Sequence, residues 1–172
     1  MTARYLINHI PALPEIIVLL GACALMLVDL YVKSERRVAS FRFAQGILVA
    51  AALATLFVQW VNGPTKLYLF YGLFVSDALG NLLKLVCYAS VWAALVYSRQ
   101  YLLDRGLLRG EFITLLLFSL LGMMIMISAS SFLSIYLGLE LMSLCLCALV
   151  ALNRDSALAT EAAMKYFVLG AL

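Results

Sequence analysis

The sequence predicts an all-α integral membrane protein, a polytopic helix bundle with six transmembrane helices, and three observations carry that prediction. Of its 172 residues, 66% are hydrophobic and 12% charged, against about 45–50% and 25% in soluble domains. The mean hydropathy is +1.05. Six apolar stretches can be delimited, and each complete one is close to the ~17–25 residues needed to cross about 30 Å of hydrocarbon. Lysine and arginine gather in alternate connections, as the positive-inside rule requires of a multi-pass chain.

The first span runs from Pro14 to Tyr31. Glu15 falls in its first turn, where a carboxylate favours the positive end of the helix dipole. Asp29, near the other end, has Lys33 at the spacing of a salt bridge. Leu20-Gly21-Ala22-Cys23 resembles a lipoprotein cleavage box, and Ala22-Cys23-Ala24 a signal-peptidase site. The apolar run nevertheless continues through Leu30 and only Arg4 supplies a basic leader, so the span is expected to be retained.

The second span, Phe41 to Trp60, ends at the turn Val61-Asn62-Gly63-Pro64-Thr65. Leu67 to Val75 is apolar and aromatic with Gly72 inside it, and is read as an interfacial or re-entrant piece placing Tyr68, Tyr71 and Phe74 at headgroup level. The third span covers Ala78 to Tyr97 and the fourth Phe112 to Ile127. The short turn Ser128-Ala129-Ser130-Ser131 makes the fourth an antiparallel hairpin with the fifth, Phe132 to Leu152. Asn153-Arg154-Asp155-Ser156 follows, with Asp155 or Ser156 able to cap the sixth helix. That helix starts at Ala157 and meets no polar closure before Leu172, so a truncated or split chain is expected.

Lys33, Arg36, Arg37 and Arg42 lie between spans one and two, Arg99, Arg105 and Arg109 between three and four, and Arg154 between five and six. Only Arg4 and Lys66 fall on the other side, which predicts an external, periplasmic N-terminus. The net charge of +3 is this topology signal; no basic run is long enough to neutralise a nucleic-acid phosphate tract. Cys23, Cys87, Cys145 and Cys147 all fall in spans, where cysteine acts as a small hydrophobe. Cys145 and Cys147 project about 200° apart on a helix and cannot share a metal. There is no Gly-x-Gly-x-x-Gly, Cys-x-x-Cys, Walker loop or HExxH, and the single histidine, His9, precedes the first span. No cofactor is expected in this chain, and if it serves a redox machine it belongs to the membrane arm.

Three groups of residues are candidates for chemistry. Glu140 is the only formal charge between Phe132 and Leu152, and a charged group at mid-membrane costs about 2.5–3.5 kcal/mol on insertion scales, which makes it a functional candidate by default. Tyr136, Ser143 and Cys147 share its helix face, while Ser130, Ser134 and Gly138 form a small-residue ridge suited to close packing. A structural alternative makes Glu140 a buried, protonated acid. Lys165 lies roughly 13 Å into the sixth helix and Glu140 roughly 18 Å from the same turn, within a helical turn of one another in depth. A Glu140–Lys165 proton relay is therefore expected, although Glu161, four residues before Lys165, can pair with it instead. On the third span, Asp77, Asn81, Lys84 and Tyr88 make a polar stripe; Asp77 is read as structural, and Lys84 either snorkels or forms part of a proton path.

The segments Gly122-Met123-Met124-Ile125-Met126, Tyr136-Leu137-Gly138-Leu139-Glu140-Leu141 and Glu161-Ala162-Ala163-Met164-Lys165-Tyr166-Phe167-Val168-Leu169-Gly170-Ala171-Leu172 closely resemble the subunit N family of proton-pumping NADH-quinone oxidoreductase, respiratory complex I. The last ~50 residues carry the specific part of the likeness; the first three spans match mainly in hydropathy. The resemblance implies antiporter-like membrane subunits built from two inverted five-helix repeats, in which a fifth-helix glutamate modulates a seventh-helix lysine. Glu140 matches that glutamate and Lys165 the lysine of the sixth helix; the seventh-helix lysine has no counterpart in this sequence. It divides the chain into residues 1–127, the first four helices, and 128–172, the start of the proton-translocation module, within one continuous membrane domain. It further implies a bacterial inner-membrane location, a hetero-oligomer with other membrane-arm subunits, and NADH, FMN, iron-sulfur clusters and quinone elsewhere in the complex.

Two other functions compete with that one. Half of a sodium/proton antiporter would also show mid-membrane charges. A non-transporting scaffold would use its buried charges only to hold helices together.

Overall fold

A computed structural model of the chain describes residues 10–31, 38–63, 65–105 and 110–170. Arg4, His9, Lys33, Arg36, Arg37 and Arg109, which enter the orientation argument or the Asp29 pairing, lie outside the described residues, as do Pro64, Ala171 and Leu172. Six helices follow one another: α1 Leu13–Tyr31, α2 Val38–Asn62, α3 Ala78–Asp104, α4 Gly110–Ser128, α5 Phe132–Val150 and α6 Ala157–Gly170. Five are long and apolar enough to cross a membrane. The sixth has 14 described residues, or about 21 Å at the α-helical rise, less than a full crossing.

α3 runs two turns beyond the apolar stretch that predicts it. Past Tyr97 the helix is held by its own polar side chains: Gln100 Nε2 donates to Asp104 Oδ1 at 3.0 Å, and the Arg105 guanidinium lies 4.5 Å from the Tyr101 ring. Asp77 caps its other end, accepting from the Gly80 N–H at 2.7 Å. The caps of the last two helices are serines, Ser131 for α5 and Ser156 for α6, each accepting from an N–H three residues on.

In lipid, helices associate through close packing rather than water exclusion, so small residues mark the contacts. Val18, Ala22 and Leu25 of α1, at the spacing of one helix face, pack on Ala44, Ile47, Leu48 and Ala51 of α2 and on Ile113, Leu117, Leu120 and Met124 of α4. The tightest approach joins α4 to α5. A Cβ on Gly122 would stand 2.8 Å from the Gly138 carbonyl, and one on Gly138 2.9 Å from the Gly122 carbonyl, so two glycines let the backbones touch. Gly138 belongs to the ridge read from the sequence. α5 and α6 otherwise present Leu133, Leu137, Leu158 and Leu169 outward.

Between α2 and α3 the chain forms a β-hairpin, β1 Leu67–Leu69 with β2 Phe74–Ser76, paired Leu67↔Ser76, Tyr68↔Val75 and Leu69↔Phe74. The interfacial segment expected here is thus a hairpin, whose three-residue strands are too short to show an alternating pattern. Its turn places Phe70, Tyr71 and Gly72 consecutively in the left-handed region, at φ 50°, 56° and 86°. Phe74 bridges to Ala129, and the Leu73 carbonyl accepts from the Ser130 N–H at 3.1 Å and from Ser134 Oγ at 3.2 Å. The hairpin is thereby fastened to the α4–α5 turn, at the end of the bundle where α1 begins.

Candidate functional site

Glu140 sits in the third turn of α5, half-buried where that helix meets α6. With Ser143, Leu144 and Cys147 it lines a cleft of about 20 Å³ closed by Tyr166, Phe167 and Gly170 of α6, room for about one water. The Tyr136 hydroxyl, one turn earlier on the same face, interacts with the Glu140 carboxylate. Ser143 donates to the Glu140 backbone carbonyl at 3.1 Å, so its hydroxyl serves the helix rather than the acid. Cys147 donates to the Ala163 carbonyl at 3.5 Å and ties α5 to α6.

Lys165 is not brought to Glu140. Its ammonium lies 2.6 Å from Glu161, with the two side chains 71% and 61% exposed. Ala163, Tyr166, Phe167 and Gly170 turn toward α5; Lys165, projecting about 200° from Ala163, faces away. Similar depth does not make two side chains neighbours when their azimuths oppose. Among the described residues the one ion pair of α6 is local.

The deepest charges lie elsewhere, along the stripe of α3. Lys84 is 1% exposed and its Nζ stands 2.5 Å from Glu15 Oε1. Ser128, the last residue of α4, donates to the same oxygen at 3.3 Å. The Phe74 ring of the hairpin covers the ammonium, with 5.2 Å from Nζ to the ring centroid, a distance at which the ring quadrupole attracts a cation. Glu15 Oε2 is buried and has no hydrogen-bond partner among the described residues. Asn81 donates to Gln59 Oε1 at 2.7 Å, and the Tyr88 hydroxyl lies 3.2 Å from Thr55 Oγ1. Three polar side chains of α3 thus each find a partner on α1 or α2. Sequence reasoning singled out the stripe but missed Glu15, Gln59, Thr55 and Ser128. The signal available was demand: a lysine two turns into an apolar helix requires a carboxylate, and few lie at the same end of the bundle.

At the opposite end, Asp29 accepts from Ser40 Oγ at 2.9 Å and packs so closely on Gly110 that a Cβ there would collide with its carboxylate. The Arg99 guanidinium stacks 5.3 Å from the Phe41 ring, and Arg154 pairs with Glu111 at 3.6 Å. Of the described basic residues in connections, Arg105 and Arg154 mark this end and Lys66 the hairpin end.

Comparison with known proteins gives the arrangement a context. Residues 129–172 match the family described as the NADH:quinone oxidoreductase/Mrp antiporter transmembrane domain. The chain is 49% identical over 166 residues to NADH-quinone oxidoreductase subunit N of Laribacter hongkongensis, covering 96% of this chain and 34% of that protein. Subunit N of Methylovorus glucosotrophus is 53% identical over 161 residues, covering 94% and 33% respectively. A chain of respiratory complex I from Thermus thermophilus with bound aureothin superposes with a TM-score of 0.69 at 25% identity, over 92% of this chain and 33% of that one. The chain therefore spans about a third of the length of the relatives it matches. Over nearly all of its own length, this chain, with five helices long and apolar enough to cross a membrane, is similar to NADH-quinone oxidoreductase subunit N and superposes on a chain of respiratory complex I.

Proposed function

We propose that this chain acts in the membrane arm of an NADH-quinone oxidoreductase, where electron transfer from NADH to quinone is coupled to proton translocation through buried acid and base side chains. The observation that carries this is Glu140: a carboxylate in an otherwise apolar helix of the family-matched segment, facing a cleft the size of one water. Tyr136 orients the acid, and Ser143 stiffens the turn beneath it. A carboxyl held there is stable in either protonation state only if a polar partner or water meets it, and the cleft supplies that meeting point.

Lys165 enters this proposal as a second proton-carrying group that works away from α5, toward whatever covers the outer side of α6. Lys84 belongs to the same path at the hairpin end. Residues 128–172 then form the start of the translocating module and residues 1–127 its flanking helices. NADH, FMN, iron-sulfur clusters and quinone would be held by other subunits of the hetero-oligomer. Among the described residues no group of three or more His, Cys, Asp or Glu side chains is placed to hold a metal. The location is a bacterial inner membrane, with the hairpin end and the N-terminus periplasmic, as the Lys and Arg distribution favours.

The test is Glu140→Gln in the complete complex, reconstituted in vesicles. The variant is expected to assemble and oxidise NADH while moving fewer protons per NADH. Loss of assembly would instead assign the carboxylate to holding helices. The family description also names Mrp antiporters; purification without flavin and iron-sulfur proteins, together with sodium-dependent proton exchange, would favour that activity.

A further inference from the structure

We infer that Glu15 and Lys84 form a second proton-binding site, separate from the Glu140 cleft, that exchanges its proton with the hairpin end of the bundle. This rests on the proton-translocating function proposed above and adds a site, a binding atom and a direction to it.

The binding atom is Glu15 Oε2. Oε1 is fully engaged, by Lys84 Nζ at 2.5 Å and Ser128 Oγ at 3.3 Å. Oε2 is buried on a residue 8% exposed and has no donor among the described residues. A pair built only to fasten helices would satisfy both oxygens, because an unmet buried acceptor forfeits its hydration without return. A proton arriving at Oε2 forms one O–H bond and breaks none within the pair. The ammonium–carboxylate pair becomes an ammonium beside a carboxylic acid, and the site gains one positive charge. That charge faces the Phe74 ring, which stabilises a cation without supplying a competing base. Departure of the same proton restores the neutral pair.

Direction follows from what lines the face of α3. From Asn81 to Tyr88 each turn carries a polar group with a partner: Asn81 on Gln59, Lys84 on Glu15, Tyr88 on Thr55. Beyond Tyr88 the same face presents Val91 and Leu95, 5% and 1% exposed, inside the core that includes Ala22, Leu25 and Leu117. Polar groups on this face resume only at Ser98, about 15 Å further along the helix. Along α3 the site is therefore apolar toward the opposite end. Toward the hairpin, Glu15 stands in the first turn of α1, and among the described residues the Phe74 ring lies over the Lys84 ammonium.

Two substitutions in the complete complex, reconstituted in vesicles, test this. Lys84→Arg keeps the cation, but its planar fork can donate to both carboxylate oxygens and so occupies Oε2. Glu15→Gln with Lys84→Met removes both charges while preserving shape. Each is expected to assemble and to oxidise NADH, with a loss in protons moved per NADH. An assembled variant that retains the parent ratio overturns the inference, and so does failure of both to assemble, which would make the pair a fastening. Glu140→Gln measured alongside separates the two proposals. If it lowers the ratio and the Glu15 and Lys84 variants do not, only the second site falls. If it leaves the ratio intact, the function proposed for the chain falls as well.

Discussion

Replacing Lys84 by Met tests whether the α1–α3 pair is energetically coupled. The methionine has nearly the length of the lysine stem, so little packing is lost, but the Glu15 carboxylate, on a residue 8% exposed, is left among the described residues with the Ser128 hydroxyl at 3.3 Å. Removing one partner of a buried ion pair costs about 3–5 kcal/mol, because the other charge stays desolvated and unmatched. Glu15→Gln strands the Lys84 ammonium by the same logic and to a similar extent. Removing both charges together should cost little, since a buried pair roughly breaks even against neutral groups of the same shape. The two single losses and the double therefore fail to add by about 3 kcal/mol or more, roughly a hundredfold in the folding equilibrium. Unfolding of the complete subunit by steric trapping in bicelles would measure all corners of the cycle. A coupling energy under about 1 kcal/mol, the range of solvent-exposed pairs, would refute the claim that these charges are matched in a dry site.

Gly138→Val would place a Cβ 2.9 Å from the Gly122 carbonyl and 3.0 Å from the Met126 nitrogen, and overpacking of this kind should cost about 1–3 kcal/mol in the same unfolding measurement. Tyr71→Gly should stabilise the hairpin slightly: Tyr71 has φ 56° and a fully exposed side chain, so relief of about 1–2 kcal/mol of left-handed strain exceeds the roughly 0.5–1 kcal/mol of added chain entropy. Lys165→Ala should change stability by no more than about 0.5 kcal/mol, because its pair with Glu161 is an exposed i,i+4 contact; a larger loss would mean that Lys165 has a buried partner in the assembled subunit.

The spans were legible because hydrocarbon thickness translates directly into a count of apolar residues, and α1, α2, α4 and α5 begin and end within three residues of the stretches read from sequence. The cap of α6 was legible for the same local reason: of the two candidates Asp155 and Ser156, Ser156 acts within one turn of itself; Asp77, read only as structural, proves to be the cap of α3. The polar face of α3 was visible from spacing alone, yet its meaning depends on α1, since Lys84 finds its partner at Glu15, in a different helix. No periodicity records which helix another will face. Glu15 itself reads locally as a dipole-matching acid, and both descriptions hold, because a carboxylate in a first turn at this end lies at the depth where Lys84 emerges. The same limit explains Lys165, whose depth follows from counting but whose azimuth relative to α5 is set by packing at Ala163 and Tyr166. The hairpin escaped because three-residue strands leave no pattern, and its turn uses Phe70 and Tyr71 where glycine or asparagine would have announced it.

One carbonyl oxygen has a mechanical consequence. Leu73 O receives the Ser130 amide and the Ser134 hydroxyl together, so the first turn of the helix that carries Glu140 is stitched to the residue just before Phe74. Tilting or sliding that helix by more than a bond's tolerance must either drag the phenyl ring across the lysine ammonium or tear two hydrogen bonds at once. The helix that carries Glu140 and the ring that covers Lys84 thus meet at a single loop of backbone.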